Sequence, residues 1–374
     1  MAPEGESFRT PDHLAVYLSN SCNLACSYCY VSVNQGPAVR PTFAQLKQSI
    51  DFFLNDVDHP HKKITFLGGE PFVEWPLLTK AARYAREQGG DELVLQTFTN
   101  GTLLSPEKME VLNDLDLHVT ISLDGRKSAN DKHRVYYRAK DRSVFDDVMG
   151  RLEGLDKSRL GVSLVFTSAT VEEFLQNVDH FYRMGFGRIT FTPELYELWT
   201  EARLDVMRAQ LRAFRKFYRL ALEKGRPFQI PILYAVLAND ESNKKGVKWW
   251  HDCHNVVLGP DAHYYACDKA LTFPIGQAKD QRVGSVEKGM KWEPRREHFD
   301  RAIAGIERAG YGKDEYFCPM GVYFYSEEAG REPTELLSNF ETVAATFSEG
   351  LLGLVDDLKD NPVFQDLYVH ARVV

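Results

Sequence analysis

The chain is short of several things, and each shortage removes a class of protein. None of its 374 residues falls in an apolar run near the roughly eighteen residues that a membrane-spanning helix requires. The opening stretch, MAPEGESFRTPDHLAVYLSN, lacks the basic start and apolar core of a secretory signal, so a cytoplasmic location is expected. Positive charge is also in deficit: 45 Lys and Arg against 53 Asp and Glu leave a net charge of -8. A phosphate backbone needs a basic face, so neither a nucleic-acid nor a membrane partner is expected, and KWEPRR reads as a solvated face. There is no internal repeat and no low-complexity segment. Cysteine is scarce, with six residues at Cys22, Cys26, Cys29, Cys253, Cys267 and Cys318. A reducing cytosol disfavours three disulfides, and the grouping into a tight early trio and a dispersed late trio points to two metal sites.

What is present is alternation. HLAVYLS, KITFLGG, ELVLQTFTNG, DLHVTISLDG, RLGVSLVFT and RITFTPEL read as strands, each ending in glycine or polar residues. Between them lie helical stretches such as TFAQLKQSIDFFLND and SPEKMEVLNDL, the latter with Ser105 as N-cap and Pro106 at the first helical position. Six β/α units with near-continuous apolar runs predict an α/β fold whose parallel strands are buried on both faces. Whether closed as a barrel or open, such a sheet gathers its active-site residues at the carboxyl ends of its strands. LDVMRAQLRAFRKFYRLALEKG closes this part. From about Gly246 the chain turns aromatic, turn-rich and hairpin-like, so the expected division is residues 1–235, 236–330 and a helical tail, 331–374.

Cys22, Cys26 and Cys29 are spaced Cys-x3-Cys-x2-Cys on the loop after the first strand. Three thiolates on one loop can hold three corners of a cubane cluster and leave the fourth iron open. Zinc is the plain alternative, but a structural zinc site wants four protein ligands and no fourth Cys or His lies nearby. Here the chain resembles the radical S-adenosylmethionine (SAM) superfamily, whose signature is this spacing with an aromatic before the third Cys, here Tyr28. The resemblance implies a partial (β/α)6 TIM-type barrel. It also implies a [4Fe-4S] cluster on Cys22, Cys26 and Cys29 whose open iron is chelated by SAM. One electron from the reduced cluster would cleave SAM to a 5′-deoxyadenosyl radical, which abstracts hydrogen from the substrate.

Further cofactor-binding candidates sit at strand ends. In FLGGEP, Gly68 and Gly69 permit close backbone approach and Glu70 can accept from the methionyl ammonium; the motif matches the superfamily's GGE. Thr99 and Asn100 in TNG, and Ser122 and Asp124 in SLDG, offer short polar side chains for ribose hydroxyls or the methionyl carboxylate, with Ser122 chosen for the ribose. Asn-Gly and Asp-Gly are also ordinary turn makers. The stretch from SLDG to SVFDDV reads as a charged loop and a helix capped at Ser143. It also resembles radical enzymes with SPASM or twitch extensions, matching at Asp131 and Arg134, and the Arg134 fork would pair with the cofactor carboxylate.

Cys253-x13-Cys267 brackets a Gly-Pro-Asp turn, and Cys318 follows fifty residues later. Three inert buried cysteines are the bland account. The hairpin and the following RVGSVEKG resemble the auxiliary-cluster hairpin of SPASM and twitch domains. That implies an auxiliary [4Fe-4S] cluster on Cys253, Cys267 and Cys318, with the fourth ligand open among His251, His254, Asp252, water and substrate. A full SPASM domain needs more cysteines, so a short, twitch-type domain is expected. The thiol count disfavours anaerobic sulfatase maturases, which the chain resembles around SLDG. The hairpin departs from the pattern in that the glycine usual in its turn is displaced, with Gly259 early and Ala262 after Pro-Asp.

The function expected from the resemblance is radical modification of a peptide or protein by crosslinking, dehydrogenation or related C–H chemistry, as in ribosomal peptide natural-product maturation. A flavodoxin or ferredoxin would supply electrons. Only twenty-one residues precede Cys22, too few for a winged leader-binding module, so leader recognition would use the barrel face or a partner. The alternatives are a radical enzyme on a small metabolite, such as an aminosugar or nucleotide, and a noncatalytic iron-sulfur electron carrier. No general acid or base is assigned.

Overall fold

The computed structural model describes residues 11–370 except 247, 252, 276, 278–280, 313–316, 329, 331 and 332. Six parallel strands follow one another in space in chain order: β1 (His13–Tyr17), β2 (Lys63–Leu67), β3 (Val94–Thr99), β4 (Leu117–Ser122), β5 (Gly161–Phe166) and β6 (Arg188–Pro193). The crossovers carry α1 (Phe43–Asn55), α2 (Trp75–Gly89), α3 (Pro106–Asp114), α4 (Lys127–His133) with α5 (Val144–Leu152), and α6 (Phe174–Met184). This is the partial (β/α)6 barrel expected. The local signals behave as their chemistry requires: Thr42 and Gln45 close a capping box on α1, and Ser105 Oγ accepts from Lys108 N at 3.3 Å with Pro106 opening α3.

Burial departs from the expectation of strands enclosed on both faces. In β3, β4 and β6 it alternates, with Leu95, Leu117, Val119, Ile121, Ile189 and Phe191 in the core. Gln96, His118, Thr120, Ser122, Thr190 and Thr192 alternate with them and are half-buried. An incomplete barrel leaves its lumen open, so the lumen face can be polar while the helix-covered face cannot.

After β6 come α7 (Glu201–Glu223) and α8 (Pro231–Lys244). The division expected at 235/236 falls inside α8, and the sheet does not stop there. β7 (Asn255–Leu258) joins β1 in parallel, His13 opposite Asn255, and continues antiparallel through β8 (His263–Tyr265), β9 (Arg282–Ser285) and β10 (Gly289–Met290). One ten-stranded sheet, in the order β10-β9-β8-β7-β1-β2-β3-β4-β5-β6, therefore carries both cysteine trios. The Cys253–Cys267 segment is the hairpin the sequence indicated, and Ala262, with φ of 59°, occupies the left-handed region that glycine favours. Next come α9 (Trp292–Arg308), α10 (Met320–Glu328), the long α11 (Thr334–Leu358) and the short α12 (Pro362–Gln365). The tail belongs to the main core: the Phe347 ring of α11 packs tilted against Phe166 and edge-on to Phe191, with centroids at 6.0 and 6.1 Å.

Candidate active site

The first cysteine loop leaves β1 and is held by two neighbours at the carboxyl end of the barrel. The β2 end contributes Gly69 N to Ser19 O at 2.7 Å and Glu70 N to Ser21 O at 2.9 Å. A Cβ on Gly69 would stand 2.2 Å from Ser21 O, so the close approach that needs glycine here is to the cysteine loop's own backbone. The segment after α4 binds the other side, with Ala25 N donating to Val135 O at 2.8 Å and Ser27 N to His133 O at 3.0 Å. Asn34 clamps Cys22, accepting from its N–H at 3.0 Å and donating to its carbonyl at 2.8 Å.

Glu70 serves the scaffold. Its carboxylate is buried and accepts from Thr99 Oγ1 (2.7 Å), Asn100 N (2.7 Å) and Phe72 N (3.0 Å), so it links the β2 and β3 ends. Burial pushes its carboxyl up, and these donors offset part of that. One lone-pair position on Oε2 remains beyond these bonds for a cofactor ammonium. Asn100 reaches the loop directly, donating to Asn23 Oδ1 at 2.8 Å and lying 3.9 Å from Cys22 Sγ. Ser122 stands half-buried at the end of β4, in register with Ser163.

Asp124 is the hub of the site. Its carboxylate accepts from the Tyr28 hydroxyl, from Arg134 at 3.0 Å and from Val165 N at 3.1 Å. Arg134 also lies over the Tyr28 ring, 5.4 Å from its centroid. Burial opposes the guanidinium's charge, but Asp124, Tyr28 and Cys26 outweigh it, so the charge is held beside Cys26. Arg134 thus has a protein carboxylate as partner through one nitrogen, while its buried Nε has no hydrogen-bond partner among the described residues. Asp131 is a helix cap, accepting from Ser143 Oγ at 2.6 Å and Phe145 N at 2.9 Å at the start of α5.

The three thiols suit a cluster. Cys22 and Cys26 are half-buried and Cys29 is exposed at the mouth. Burial pushes all three thiols up, Cys26 to about 11, with Arg134 pulling back at Cys26 and Cys29. Left alone they stay protonated, and a cationic iron-sulfur core supplies what would make them thiolates. Leu24 N donates to Cys22 Sγ at 3.3 Å, the kind of N–H···S contact that tunes such a core. Among the described residues no three Cys, His, Asp or Glu side chains converge on a single ion.

The second trio also comes together. Cys267 is buried, and Cys253 and Cys318 pack against the same apolar cluster, with Trp250 and Met320. Burial, then Asp268, then Cys253 and Cys318 push the Cys267 thiol up, and Cys318 is pushed to about 12. Of the fourth-ligand candidates, His251 Nε2 lies 3.8 Å from Glu307 and His254 Nδ1 lies 3.7 Å from Asp12. Asp252 lies outside the described residues.

A cavity of ≈ 300 Å³ lies at the barrel mouth, lined by Tyr28 and Cys29 of the first loop, Glu194, Tyr196 and Glu197 just past β6, and Tyr325 of α10. The three residues past β6 were missed in the sequence. Their only signal is position, an acidic pair directly after a strand in PELYE. Burial raises the Glu194 carboxyl from 4.5 to about 7, aided by Glu197, and raises Glu197 too. A folded-state value above the unfolded one means that the folded protein holds an extra proton between about pH 4.5 and 7, so stability falls as pH rises through that window. Glu194→Gln should flatten this dependence, as read from urea midpoints across the window.

The sequence profile of the Radical SAM superfamily matches residues 16–193, the stretch that holds β1 to β6, the first trio and every strand-end motif up to Arg134. The chain carries a radical SAM domain. With that domain and a maturating enzyme among its relatives the chain is an enzyme, and the superfamily implies a [4Fe-4S] cluster and SAM. An uncharacterized protein of Methanocaldococcus jannaschii is 31% identical over 48% of this chain and 61% of that protein, so this chain spans less than two thirds of that relative. A serine-type anaerobic sulfatase-maturating enzyme of Klebsiella aerogenes is 26% identical over 71% of this chain and 69% of that enzyme, a likeness reaching far beyond SLDG. A GTP 3′,8-cyclase of Xanthomonas axonopodis pv. citri is 23% identical over 79% of this chain and 92% of that enzyme. In fold, the radical SAM chain is similar to native anSMEcpe solved with bound AdoMet and the Cp18Cys peptide, at TM-score 0.67 and 17% identity over 96% of this chain and 99% of that one. Among the described residues no helix is long and apolar enough to cross a membrane.

Proposed function

We propose that this radical SAM enzyme modifies a peptide or protein substrate at carbon, by crosslinking, dehydrogenation or related C–H chemistry. The observation that carries this reading is the cavity lined by Cys29 of the first loop together with Thr272 and Tyr325, which follow Cys267 and Cys318 in the chain. At ≈ 300 Å³ it has room for a side chain beside a cofactor's reactive end but not for a large folded partner. When bound, the cluster and SAM supply a 5′-deoxyadenosyl radical. The chain's own residues do the rest: Asn34, Asn100 and the GGE backbone fix the cysteine loop, Asp124 holds Tyr28 and Arg134 against it, and Glu194, Tyr196 and Glu197 form the substrate-side wall. The second trio would hold an auxiliary cluster, an acceptor for the electron that a dehydrogenated product gives up. Support also comes from the sulfatase-maturating relative and from the peptide bound by anSMEcpe.

A second reading, a small-metabolite enzyme, is favoured by the GTP 3′,8-cyclase relative, because the likeness covers nearly all of that enzyme. Anaerobically reconstituted enzyme, dithionite and SAM should be offered, in parallel, the peptides encoded beside its gene and a set of nucleotides including GTP. Peptide mass loss in step with 5′-deoxyadenosine supports the first reading. Conversion of a nucleotide with the peptides left intact replaces it with the second.

A further inference from the structure

One cation touches residues adjacent to ligands of both trios. Lys269 Nζ lies 3.8 Å from the ring centroid of Tyr30, which follows Cys29, and 3.6 Å from the carboxylate of Asp268, which follows Cys267. A second ring, Tyr196, stands 5.9 Å away. The lysine side chain is 23% exposed, and Tyr30 is fixed by the hydroxyl of buried Tyr17 at 3.0 Å. A Cβ on Gly321, three residues past Cys318, would come within 2.7 Å of Lys269 Cγ, so the lysine stem runs directly beneath that backbone.

We propose that Lys269 is a fixed cation shared by the two cysteine trios, a positioning residue that favours the reduced form of the auxiliary cluster and so sets its potential. The proposal rests on the reading of Cys253, Cys267 and Cys318 as ligands of that cluster. One-electron reduction adds a negative charge to a cluster, and a nearby cation in a poorly solvated site stabilises that charge. Removing the lysine takes away the attraction and leaves the Asp268 carboxylate facing the cluster alone.

The test is an EPR-monitored redox titration of full-length, anaerobically reconstituted wild type, Lys269→Met and Lys269→Arg, with iron content and uncoupled 5′-deoxyadenosine formation measured on the same samples. In Lys269→Met the ratio of reduced to oxidised auxiliary cluster at a fixed potential should fall about tenfold, a negative shift of about 59 mV for a one-electron couple. Lys269→Arg should keep the wild-type value. An unshifted Lys269→Met cluster, or an arginine variant shifted as far as the methionine one, overturns the proposal while leaving the auxiliary cluster in place. Wild type with about four irons, all lost with the first trio, removes the cluster and the proposal with it.

Discussion

Replacing Cys22, Cys26 and Cys29 together by Ala should lower the iron content from about eight to about four per chain and abolish SAM cleavage under strong reduction. Cys22 of the first loop is the cysteine that Asn100, Asn34 and Leu24 N hold in place. Replacing Cys253, Cys267 and Cys318 should also halve the iron, but slow uncoupled formation of 5′-deoxyadenosine should persist, because the barrel and its cysteine loop are intact. Substrate turnover should be lost in both. The two variants thus separate generation of the radical from its use. Retention of SAM cleavage by the first variant would sink the assignment of the radical-generating site, and a wild type holding only four irons would sink the auxiliary one.

Breaking the Asp124–Arg134 pair should have the largest effect on stability of any single change at the site. Both side chains are buried, 2% and 8% exposed, so Asp124→Ala leaves a guanidinium uncompensated in a poorly solvated setting. Removing one partner of such a pair costs about 3–5 kcal/mol. The Tyr28 hydroxyl and Val165 N lose their acceptor at the same time. The double variant Asp124→Ala/Arg134→Ala should be less destabilised than the sum of the single ones, since no bare charge remains. Chemical denaturation of the cluster-free and cluster-loaded protein checks this, and an unchanged midpoint for Asp124→Ala contradicts it. In the loaded enzyme Asp124→Ala should also raise the KM for SAM more than it lowers kcat, because the carboxylate seats Tyr28 and Arg134 rather than reacting.

Local signals carried far. The spacing of Cys22, Cys26 and Cys29, the six strand-helix alternations, the caps at Ser105 and Ser143 and the hairpin between Cys253 and Cys267 are set by residues near one another in the chain, and each is where the sequence put it. Roles were harder to foresee than positions. Glu70 bonds to three protein donors, Arg134 already has Asp124, and Asp131 caps a helix. Short polar residues at strand ends serve scaffold and ligand with the same atoms, and only the partner's position separates the two uses. The expected division at 235/236 follows from the change to aromatic, turn-rich sequence near Gly246, and it falls inside α8, among whose buried residues are Leu233 and Val236.

By itself the sequence determined the class of chemistry, because three thiols on one loop after a strand admit few uses. It also determined the order of the parallel strands, because short crossovers place successive β/α units side by side. The tertiary structure alone decided what those elements enclose. The pairing of β1 with β7, the cavity shared by Cys29 with Glu194, Tyr196 and Glu197, and the placing of Lys269 over the Tyr30 ring all join residues far apart in the chain. Such contacts depend on how a whole sheet curls, and no local pattern encodes that.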